Sequence, residues 1–496
     1  MRRATLIATL TRPPSAEELA RLGGEVEWLE VRADLAPELD PVRLWDGFPG
    51  KLLYTLRSRA EGGGFDGSEA QRAERLGAAA RVYDLVDLEG ERDLEPALLA
   101  EVPAEKRLIS WHGPAAESAD LVERFETMAA TPARLYKLVP EARQSGDEVA
   151  PLDLLRQLQR EDVVAFAGGT IGFWSRLVAP RLGAPWVYGA AGAEPAAPGQ
   201  PSIEQLRRDF GLPELPPVEA LFGVVGHPVL HSLSPRLHNA MYRRLGLPFL
   251  YLPFDTERFG DFWLEVVEGG GLEEAGLPIR GLSITAPFKG AALAVTGAGS
   301  PLAEGLGAVN TLVQRGVVWE GENTDCEGVM LSLARHGREV TGQDAAVVGA
   351  GRAGRAAAFA LTLGGAQVTL TNRNPSRGWV VAEELQLPFV PLTAFDPGGY
   401  SIVVHATSLG REETDLLPFA VERLHPAAVL VDLVYGSRPT RLGRAAGARG
   451  VEVIDGREVL LHQALAQFRL MTGREMDVPF GLRVLGLTGD PGGAGR

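Results

Sequence analysis

Short apolar runs alternate with helix-like segments through the first two hundred or so residues of the chain. The runs read ATLIATL, VEWLEVRA, KLLYTLR, YDLVDLE, RLISWH, ARLYKLV, DVVAFAG and PWVYGAA, and each has the length of a β-strand. Strands that alternate with helices in this way are typical of a parallel sheet, and eight of them predict a compact (β/α)8 barrel. The predicted fold class is therefore α/β.

One of these runs, LYKLV at residues 135–139, contains a lysine. Lys137 could lie on an edge strand with its ammonium in solvent. Alternatively, a lysine in an apolar site has a lowered pKa and becomes a nucleophilic amine that forms an imine with a ketone. In a barrel, polar residues at the carboxyl ends of the strands face the active site. Charged residues cluster at such ends and favour the second interpretation: Glu30, Arg32, Arg57, Asp87, Glu89, His112, Lys137 and Arg176.

The stretch GLPELPPVEA, residues 211–220, marks a boundary, because its prolines and acids follow the helix-like SIEQLRRDF. After it, FGVVGHPVLHSLSPRLHNAMY gives an apolar strand, a glycine turn and a helix that begins near Pro235. Ser232 and Ser234 stand just ahead of this helix. Hydroxyls at a helix N-terminus can bind an anion, although SLSP is also an ordinary helix-capping pattern.

Farther along, VVGAGRAGRA combines a strand, a Gly-x-Gly-x-x-Gly turn and an alanine-rich helix. The glycines are Gly349, Gly351 and Gly354, and a second strand, QVTLTNR, follows at the distance expected of a dinucleotide-binding fold.

The end of that second strand indicates which dinucleotide binds. The sequence TNRNPSR contains Asn372, Arg373 and Arg377 but no acid that could bind a free 2′-hydroxyl. Arginine favours a 2′-phosphate, so NADP is expected rather than NAD. The alternative is that these arginines are only solvated.

Composition limits the classes of function. The chain has 496 residues, enough for two to four domains, and its net charge of −15 argues against a nucleic-acid partner. The single cysteine, Cys326, excludes an internal disulfide and is consistent with a cytoplasmic location. No run reaches the length needed to cross a membrane, and the N-terminal apolar run is too short for a signal peptide. No metal site is expected.

The motifs of the first half resemble type I 3-dehydroquinate dehydratase in order and spacing. They are EVRAD (30–34), TLRSRAEGG (55–63), VDLEG (86–90), SWHG (110–113), YKLV (136–139), SR (175–176) and APGQ (197–200). The resemblance implies that Lys137 forms the imine, that His112 transfers protons, and that Glu61 orients the histidine or balances its charge. It also implies a set of substrate-binding residues: Arg176 and Gln200 for the carboxylate, and Glu30, Arg32 and Arg57 for the hydroxyls.

The second half resembles shikimate dehydrogenase over residues 220 to about 485. The motifs are GLSITAPFK, GAVNTLV, GENTDCEG, HATSLG, DLVYG and VIDGREVLLHQALAQF. The resemblance implies a catalytic pair, Lys289 and Asp325. It implies substrate contacts from Ser232, Ser234, Thr285, Asn310, Tyr435 and Gln463. It places the cofactor against Gly349, Ala350, Gly351, Arg352, Ala353, Gly354, Asn372, Arg373, Arg377, Thr407 and Gly456.

These assignments predict the domain organisation. The barrel occupies residues 1–212, a linker 213–219, a substrate-binding lobe 220–325, and an NADP-binding Rossmann lobe 326–455. C-terminal helices at 456–485 complete the substrate-binding lobe.

The chain departs from both families at a few positions. Ala196 stands where the dehydratases usually have a serine, and the methionine common before the SR motif is missing. In the second half, Ser283 and His405 replace asparagines, and the YxPxxT turn is altered between Tyr435 and Thr440. We expect these changes to affect turn geometry and binding strength and to leave the catalytic groups intact.

We therefore expect a bifunctional enzyme that dehydrates 3-dehydroquinate to 3-dehydroshikimate and reduces this to shikimate with NADPH. Its partners are expected to be these small molecules, with no nucleic acid or membrane, and it could be a monomer or a homodimer. Two alternatives remain. One is a catabolic enzyme that acts on quinate or shikimate with NAD. The other is a ligand sensor without activity, which should have lost catalytic groups that this chain retains.

Overall fold

The computed structural model describes residues 2–39, 41–436 and 438–487. The chain divides into two compact units, with the division between Ile279 and Arg280. Among the described residues, no helix is both long and apolar enough to span a membrane.

The first unit is built around one parallel sheet of eight strands, which confirms the predicted barrel. The first seven strands pair in chain order, and the eighth pairs with the first. The strands are β1 Thr5–Leu10, β2 Trp28–Arg32, β3 Lys51–Thr55, β4 Leu85–Glu89, β5 Arg107–Gly113, β6 Leu135–Pro140, β7 Val163–Ala165 and β8 Trp186–Ala190.

Helices follow the strands and cover the outside of the sheet. They are α1 Ala16–Gly23, α2 Pro41–Gly47, α3 Glu69–Ala80, α4 Pro96–Glu101, α5 Ser118–Ala129, α6 Ala150–Leu158, α7 Ser175–Val178 and α8 Ile203–Phe210. Serine caps start several of them. Ser15 and Ser68 each accept a hydrogen bond from the backbone of the first turn, and Glu18 and Gln71 complete the two capping boxes.

The first unit continues past the barrel. Glu214–Leu215, within the predicted linker, pairs with Arg2–Arg3. Two parallel strands follow, β9 Ala220–Gly226 and β10 Phe249–Asp255, with the helices α9 Ser234–Leu245, α10 Phe259–Phe262 and α11 Gly271–Glu274. These elements contact the barrel through buried rings and ion pairs. The rings of Trp174 and Phe254 lie 5.4 Å apart between centroids, and Arg236 donates to Asp209.

The second unit begins with a mixed sheet. Its strands are β11 Ile279–Ile284, which starts at the division, β12 Ala298–Gly299, β13 Thr311–Arg315 and β14 Val318–Glu322. β13 pairs antiparallel with both β11 and β14, and β12 joins β14 in parallel. The helices α12 Pro301–Leu306, α17 Gly456–Thr472 and α18 Val478–Val484 belong to the same unit.

A second parallel sheet follows. Its strands are β15 Asp344–Val348, β16 Gln367–Asn372, β17 Phe389–Pro391, β18 Ile402–His405, β19 Val429–Asp432 and β20 Glu452–Ile454. Their order in the sheet is β17-β16-β15-β18-β19-β20. Its helices are α13 Asp325–Arg335, α14 Arg352–Leu363, α15 Pro375–Glu384 and α16 Arg441–Gly447. The strand order reverses between β15 and β18, where doubly wound sheets bind ligands. This confirms the predicted Rossmann fold.

Candidate active sites

A polar cavity of about 120 Å³ opens at the carboxyl ends of the barrel strands. Its wall contains every residue that the sequence predicts for the first site: Glu30, Arg32, Arg57, Glu61, His112, Lys137, Arg176 and Gln200. The fold thus brings these eight side chains, from six different strands or the loops after them, to one place.

Strand register explains why Lys137 and His112 face the same cavity. In the ladder between β5 and β6, Ser110 pairs with Lys137. His112 lies two residues beyond Ser110, and residues two apart on a strand point to the same side. The amine and the imidazole therefore both point inside the barrel, and His112 lies one inward-facing position farther along the barrel axis than Lys137.

Lys137 lies in a nearly dry environment. Only 5% of the residue is exposed, and its Nζ lies 4.2 Å from the ring centre of Tyr188 and 4.0 Å from Glu30 Oε1. Burial lowers the pKa of Lys137, although Glu30 and Asp87 oppose it. The lowered pKa increases the fraction of neutral amine, which is the nucleophilic form.

His112 is held by Glu61. Both the backbone nitrogen and the ring Nδ1 of His112 lie about 3 Å from Glu61 Oε2. With Nδ1 donating to this oxygen, Nε2 is left as the basic nitrogen of the ring. Burial lowers the pKa of His112 well below its ordinary value, and the charges of Arg57 and Lys137 act in the same direction. A neutral imidazole at pH 7 is able to accept a proton.

Arg57 is the centre of a buried network that the sequence did not predict. Its guanidinium donates to Glu61 Oε2 at 3.0 Å, to Asp87 Oδ2 at 2.6 Å and to Ser110 Oγ at 2.8 Å. Burial alone would lower the pKa of Arg57, but Asp87 and Glu61 outweigh it. Burial also raises the pKa of Glu61 to about 8, although Arg57 opposes it. Arg57 therefore fixes Glu61, and through it His112.

Other side chains of the cavity are also held by neighbours. Glu30 accepts hydrogen bonds from the hydroxyls of Thr9 and Thr55, which sequence analysis missed. In the sequence, the only feature that could have indicated Thr9 and Thr55 was their position near the carboxyl ends of predicted strands. Gln200 donates to Thr9 Oγ1 at 3.0 Å and accepts from the backbone nitrogen of Ala196. Arg32 forms an ion pair with Asp34 at 2.6 Å.

The two serines predicted to bind an anion stand at the start of α9 in the first unit. Ser234 is the first residue of the helix and is 5% exposed. Ser232 Oγ accepts a hydrogen bond from the backbone nitrogen of Ser234 at 3.2 Å. Part of the acceptor capacity of Ser232 therefore serves the helix start, and its hydroxyl proton can still be donated to a ligand.

In the second unit, Lys289 and Asp325 form an ion pair. Nζ lies 2.5 Å from Asp325 Oδ2, and both side chains are 11% exposed. Asp325 Oδ1 accepts from Asn310 Nδ2 at 2.7 Å, and the Asp325 backbone nitrogen donates to Asn323 Oδ1. The predicted catalytic pair and one predicted substrate ligand, Asn310, thus form one connected group.

Two further predicted substrate ligands, Thr285 and Gln463, also belong to this unit. Thr285 directly follows β11, and Gln463 lies half-buried on α17. Ser283, one of the departures from the family pattern, donates to Gln467 Oε1 at 3.0 Å. Gln467 also donates to Thr311 Oγ1, so it secures the end of β11 beside β13. Sequence analysis did not single out Gln467.

The glycine turn has the geometry that a dinucleotide pyrophosphate needs. Gly349 has φ of +121°, and a Cβ there would lie 2.6 Å from Ala406 O. A Cβ on Gly354 would lie 1.9 Å from Gly349 O, whereas one on Gly351 would meet nothing within 4 Å. Close packing at two glycines and open space at the third match the separate roles of the glycines in such turns. Ala350, Arg352 and Ala353 follow in the same turn and helix start.

The arginines that favour a 2′-phosphate are exposed at the end of β16. Asn372 accepts from the backbone nitrogen of Ala350 at 3.3 Å, which ties this strand end to the glycine turn. Arg373 and Arg377 follow it in the exposed segment before and within the first turn of α15. Their guanidinium groups are therefore accessible beside the turn.

His405 replaces an asparagine of the family pattern and is fully buried. Its Nδ1 lies 2.9 Å from Asp432 Oδ1 and its Nε2 lies 2.7 Å from Thr407 Oγ1. Asp432 also accepts from Thr440, across the altered turn. This substitution thus cross-links the ends of β18 and β19, where Thr407 and Gly456 are predicted to border the cofactor and Tyr435 the substrate.

Comparisons with known proteins show which families the segments of the chain match. The family model of type I 3-dehydroquinase matches residues 12–213. The models of the shikimate dehydrogenase substrate binding domain and of the shikimate 5'-dehydrogenase C-terminal domain match residues 224–312 and 456–485.

Among curated relatives, a shikimate dehydrogenase (NADP(+)) of Halobacterium salinarum is 38% identical, over 52% of this chain and 95% of its own length. A shikimate dehydrogenase (NADP(+)) of Thermus thermophilus is 41% identical over 51% of this chain and 92% of its own. A chloroplastic bifunctional 3-dehydroquinate dehydratase/shikimate dehydrogenase of Arabidopsis thaliana is 28% identical, over 90% of this chain and 77% of its own.

Proposed function

The chain belongs to the shikimate dehydrogenase family and carries a type I 3-dehydroquinase domain ahead of it, and from this premise we propose that it converts 3-dehydroquinate to shikimate in two steps. Both steps belong to the shikimate pathway. The observation that carries the proposal is that one chain brings together both pairs of residues predicted to be catalytic. Lys137 and His112 line one cavity, and Lys289 and Asp325 form an ion pair.

In the first step the Lys137 amine condenses with the substrate ketone and releases water. The resulting protonated imine withdraws electrons from the adjacent carbon and lowers the barrier to removing its proton. Burial of Lys137 supports this role because it favours the neutral amine. The ring of Tyr188 faces the same nitrogen and can stabilise the positive charge of the imine.

His112 removes that proton and then returns one to the departing hydroxyl, which leaves as a second water. Hydrolysis of the imine consumes one water, so the net reaction is the loss of one water from 3-dehydroquinate. Glu61 and Arg57 position the imidazole for both transfers. Arg176 and Gln200 are proposed to hold the substrate carboxylate, and Glu30 and Arg32 its hydroxyls.

In the second step the ketone of 3-dehydroshikimate is reduced; NADPH bound at the glycine turn beside Arg373 and Arg377 would supply the hydride. Lys289 and Asp325 deliver the proton that the new hydroxyl requires, and Asn310 keeps the carboxylate oriented. Ser232 and Ser234 are proposed to bind the substrate carboxylate, with Thr285, Gln463 and Tyr435 contributing further substrate contacts.

NADP is the cofactor proposed for this step. Support comes from the two exposed arginines, Arg373 and Arg377, beside the glycine turn and from the absence of an acid between residues 371 and 377. A guanidinium pairs with a 2′-phosphate, whereas a free 2′-hydroxyl is usually bound by a carboxylate. A cytoplasmic location remains part of the proposal, supported by the low cysteine content: the chain has a single cysteine, Cys326, and therefore no internal disulfide.

Separate assays of the two half-reactions test the proposal. Lys137→Met should abolish formation of 3-dehydroshikimate but leave its NADPH-dependent reduction unchanged. Lys289→Met should do the opposite, so each variant is the control for the other. If wild-type protein catalyses neither half-reaction, or if either variant loses both, the assignment of two independent catalytic pairs is wrong.

A further inference from the structure

Three buried polar atoms on the wall of the barrel cavity lack a hydrogen-bond partner within the described parts of the chain. They are Glu61 Oε1, Arg176 Nε and the hydroxyl of Tyr188. Arg176 and Glu61 already have roles in the proposed function. The Tyr188 hydroxyl has none, and the residue is only 2% exposed, so bulk water does not compensate for the missing partner.

Tyr188 is in contact with Arg176, the residue proposed to hold the substrate carboxylate. Tyr188 lies on β8, and its backbone oxygen accepts from Arg176 Nη1 at 3.2 Å. Its ring lies against the Lys137 ammonium. The same cavity wall contains Gln200 and Ala196, and the alanine side chain has no hydroxyl to offer a ligand.

An unpartnered buried hydroxyl is unfavourable in the free protein, because it has lost its hydrogen bonds to water without replacement. A phenylalanine would supply the same ring against Lys137 without that penalty. The cavity is lined by polar groups suited to a molecule rich in oxygen atoms. An unpartnered hydroxyl on its wall therefore indicates that a bound ligand supplies the missing hydrogen-bond acceptor.

We propose that the Tyr188 hydroxyl donates a hydrogen bond to the carboxylate of the dehydratase substrate, beside Arg176. This inference rests on the proposed function of the barrel and adds a residue that determines substrate affinity. Tyr188 is a donor here and takes no part in proton transfer, since burial raises the pKa of its hydroxyl well above the ordinary value.

The test is Tyr188→Phe in the full-length enzyme, assayed by the ultraviolet absorbance of the conjugated enone product without NADPH. The KM for 3-dehydroquinate should rise about ten- to a hundredfold with kcat unchanged, as expected when one hydrogen bond to a charged group of the substrate is lost. The thermal midpoint without substrate should stay equal or rise, because the variant removes an unpartnered buried hydroxyl.

Tyr136→Phe is the matched control. Tyr136 lies on neighbouring β6, but its hydroxyl donates to Thr131 O, away from the cavity. Its loss should leave KM unchanged.

The inference is overturned if Tyr188→Phe leaves KM unchanged, if it lowers kcat and the thermal midpoint together, or if Tyr136→Phe raises KM equally. Wild-type protein without dehydratase activity would instead refute the proposed function, so the two failures are distinguishable.

Discussion

At the scale of single residues, the chemistry depends on the environment of Lys137. Removing an ammonium from water lowers its pKa, and the neighbouring arginines act in the same direction. Glu30 and Asp87 oppose this, and the Tyr188 ring lies against the same nitrogen, so the amine remains able to carry the positive charge of the imine. The site can therefore accommodate both forms of the nitrogen: the neutral amine that attacks the ketone and the positively charged imine that follows.

Trapping of the imine is the first prediction. Borohydride added together with 3-dehydroquinate should inactivate the dehydratase and leave a mass adduct on Lys137, because reduction makes the imine bond permanent. Borohydride alone should leave the activity intact. An adduct found instead on Lys51 or Lys106, or no adduct at all, would exclude the imine mechanism.

Cofactor choice is the second prediction, and it depends on Arg373. A charge-assisted hydrogen bond contributes about 1.5 to 3 kcal/mol, so NADPH should be preferred over NADH by at least about tenfold. Arg373→Ala should raise the KM for NADPH far more than that for NADH, while the dehydratase rate of the same protein serves as control. An equal increase in the KM for both cofactors would indicate that Arg373 contacts a part of the molecule that NADPH and NADH share.

At the scale of secondary-structure elements, the sequence predicted the barrel and the Rossmann fold because their strands leave strong local signals. Parallel strands such as DAAVV at residues 344–348 are buried on both faces and appear as continuous apolar runs. The glycine turn and the charged strand ends are likewise local. Lys137 and His112 could be assigned to one cavity because both lie at carboxyl ends of strands in a single barrel.

Contacts between distant parts of the chain could not be predicted in this way. The Arg57 network includes Asp87 and Ser110, which lie 30 and 53 positions from Arg57 along the chain. The unpartnered hydroxyl of Tyr188 can be recognised only once its surroundings are known. Gln467 resembles many other polar residues on a helix until β11 and β13 pack against it. Such contacts depend on packing, which leaves no periodic pattern in the sequence.

Glu148, just before α6, gives the third prediction. It accepts from Trp174 Nε1 at 2.9 Å and from the backbone nitrogen of Gly146 at 2.8 Å. Burial raises its pKa to about 7, although these hydrogen bonds oppose the shift. The folded state therefore holds this proton more tightly than the unfolded state, and ionisation of Glu148 destabilises the fold as pH rises from about 4.5 to above 7.

The Glu148→Gln variant cannot ionise at this position, so it should not lose stability in this way as pH rises. The difference in thermal midpoint, variant minus wild type, should therefore be larger at pH 8 than at pH 5. The relative change should correspond to a few kcal/mol at most, from a shift of more than two pKa units at about 1.4 kcal/mol each. Asp153→Asn on α6, which removes a carboxylate paired with Arg156, is the control. A midpoint difference that is the same at both pH values would show that Glu148 is ionised in the folded protein throughout.

At the scale of the whole molecule, the first compact unit extends beyond the predicted barrel domain. Trp174 and Phe254 pack together, and Ser145 Oγ lies 2.8 Å from Thr256 Oγ1, so the segment after the linker is in contact with the barrel. Phe254 is 1% exposed, and removal of the barrel would uncover it. Domain boundaries drawn from the motifs and the compact units of the fold therefore differ.

Separated fragments provide the fourth prediction. A fragment ending near Leu212 should retain dehydratase activity, and one beginning near Val218 should retain dehydrogenase activity with a lower thermal midpoint than the full chain. A fragment beginning at Arg280 should be inactive, because it lacks Ser232, Ser234 and the strands β9 and β10. If neither of the first two fragments is soluble and active, contacts between the barrel and residues 220–279 are required for folding.

The central claim is that one chain performs both reactions in sequence. The most direct measurement mixes pure protein with 3-dehydroquinate and NADPH and follows the loss of nicotinamide absorbance. We predict one NADPH oxidised for each 3-dehydroquinate consumed, and no oxidation with Lys137→Met until 3-dehydroshikimate is added. Wild-type protein that leaves NADPH unoxidised with 3-dehydroquinate would contradict the account.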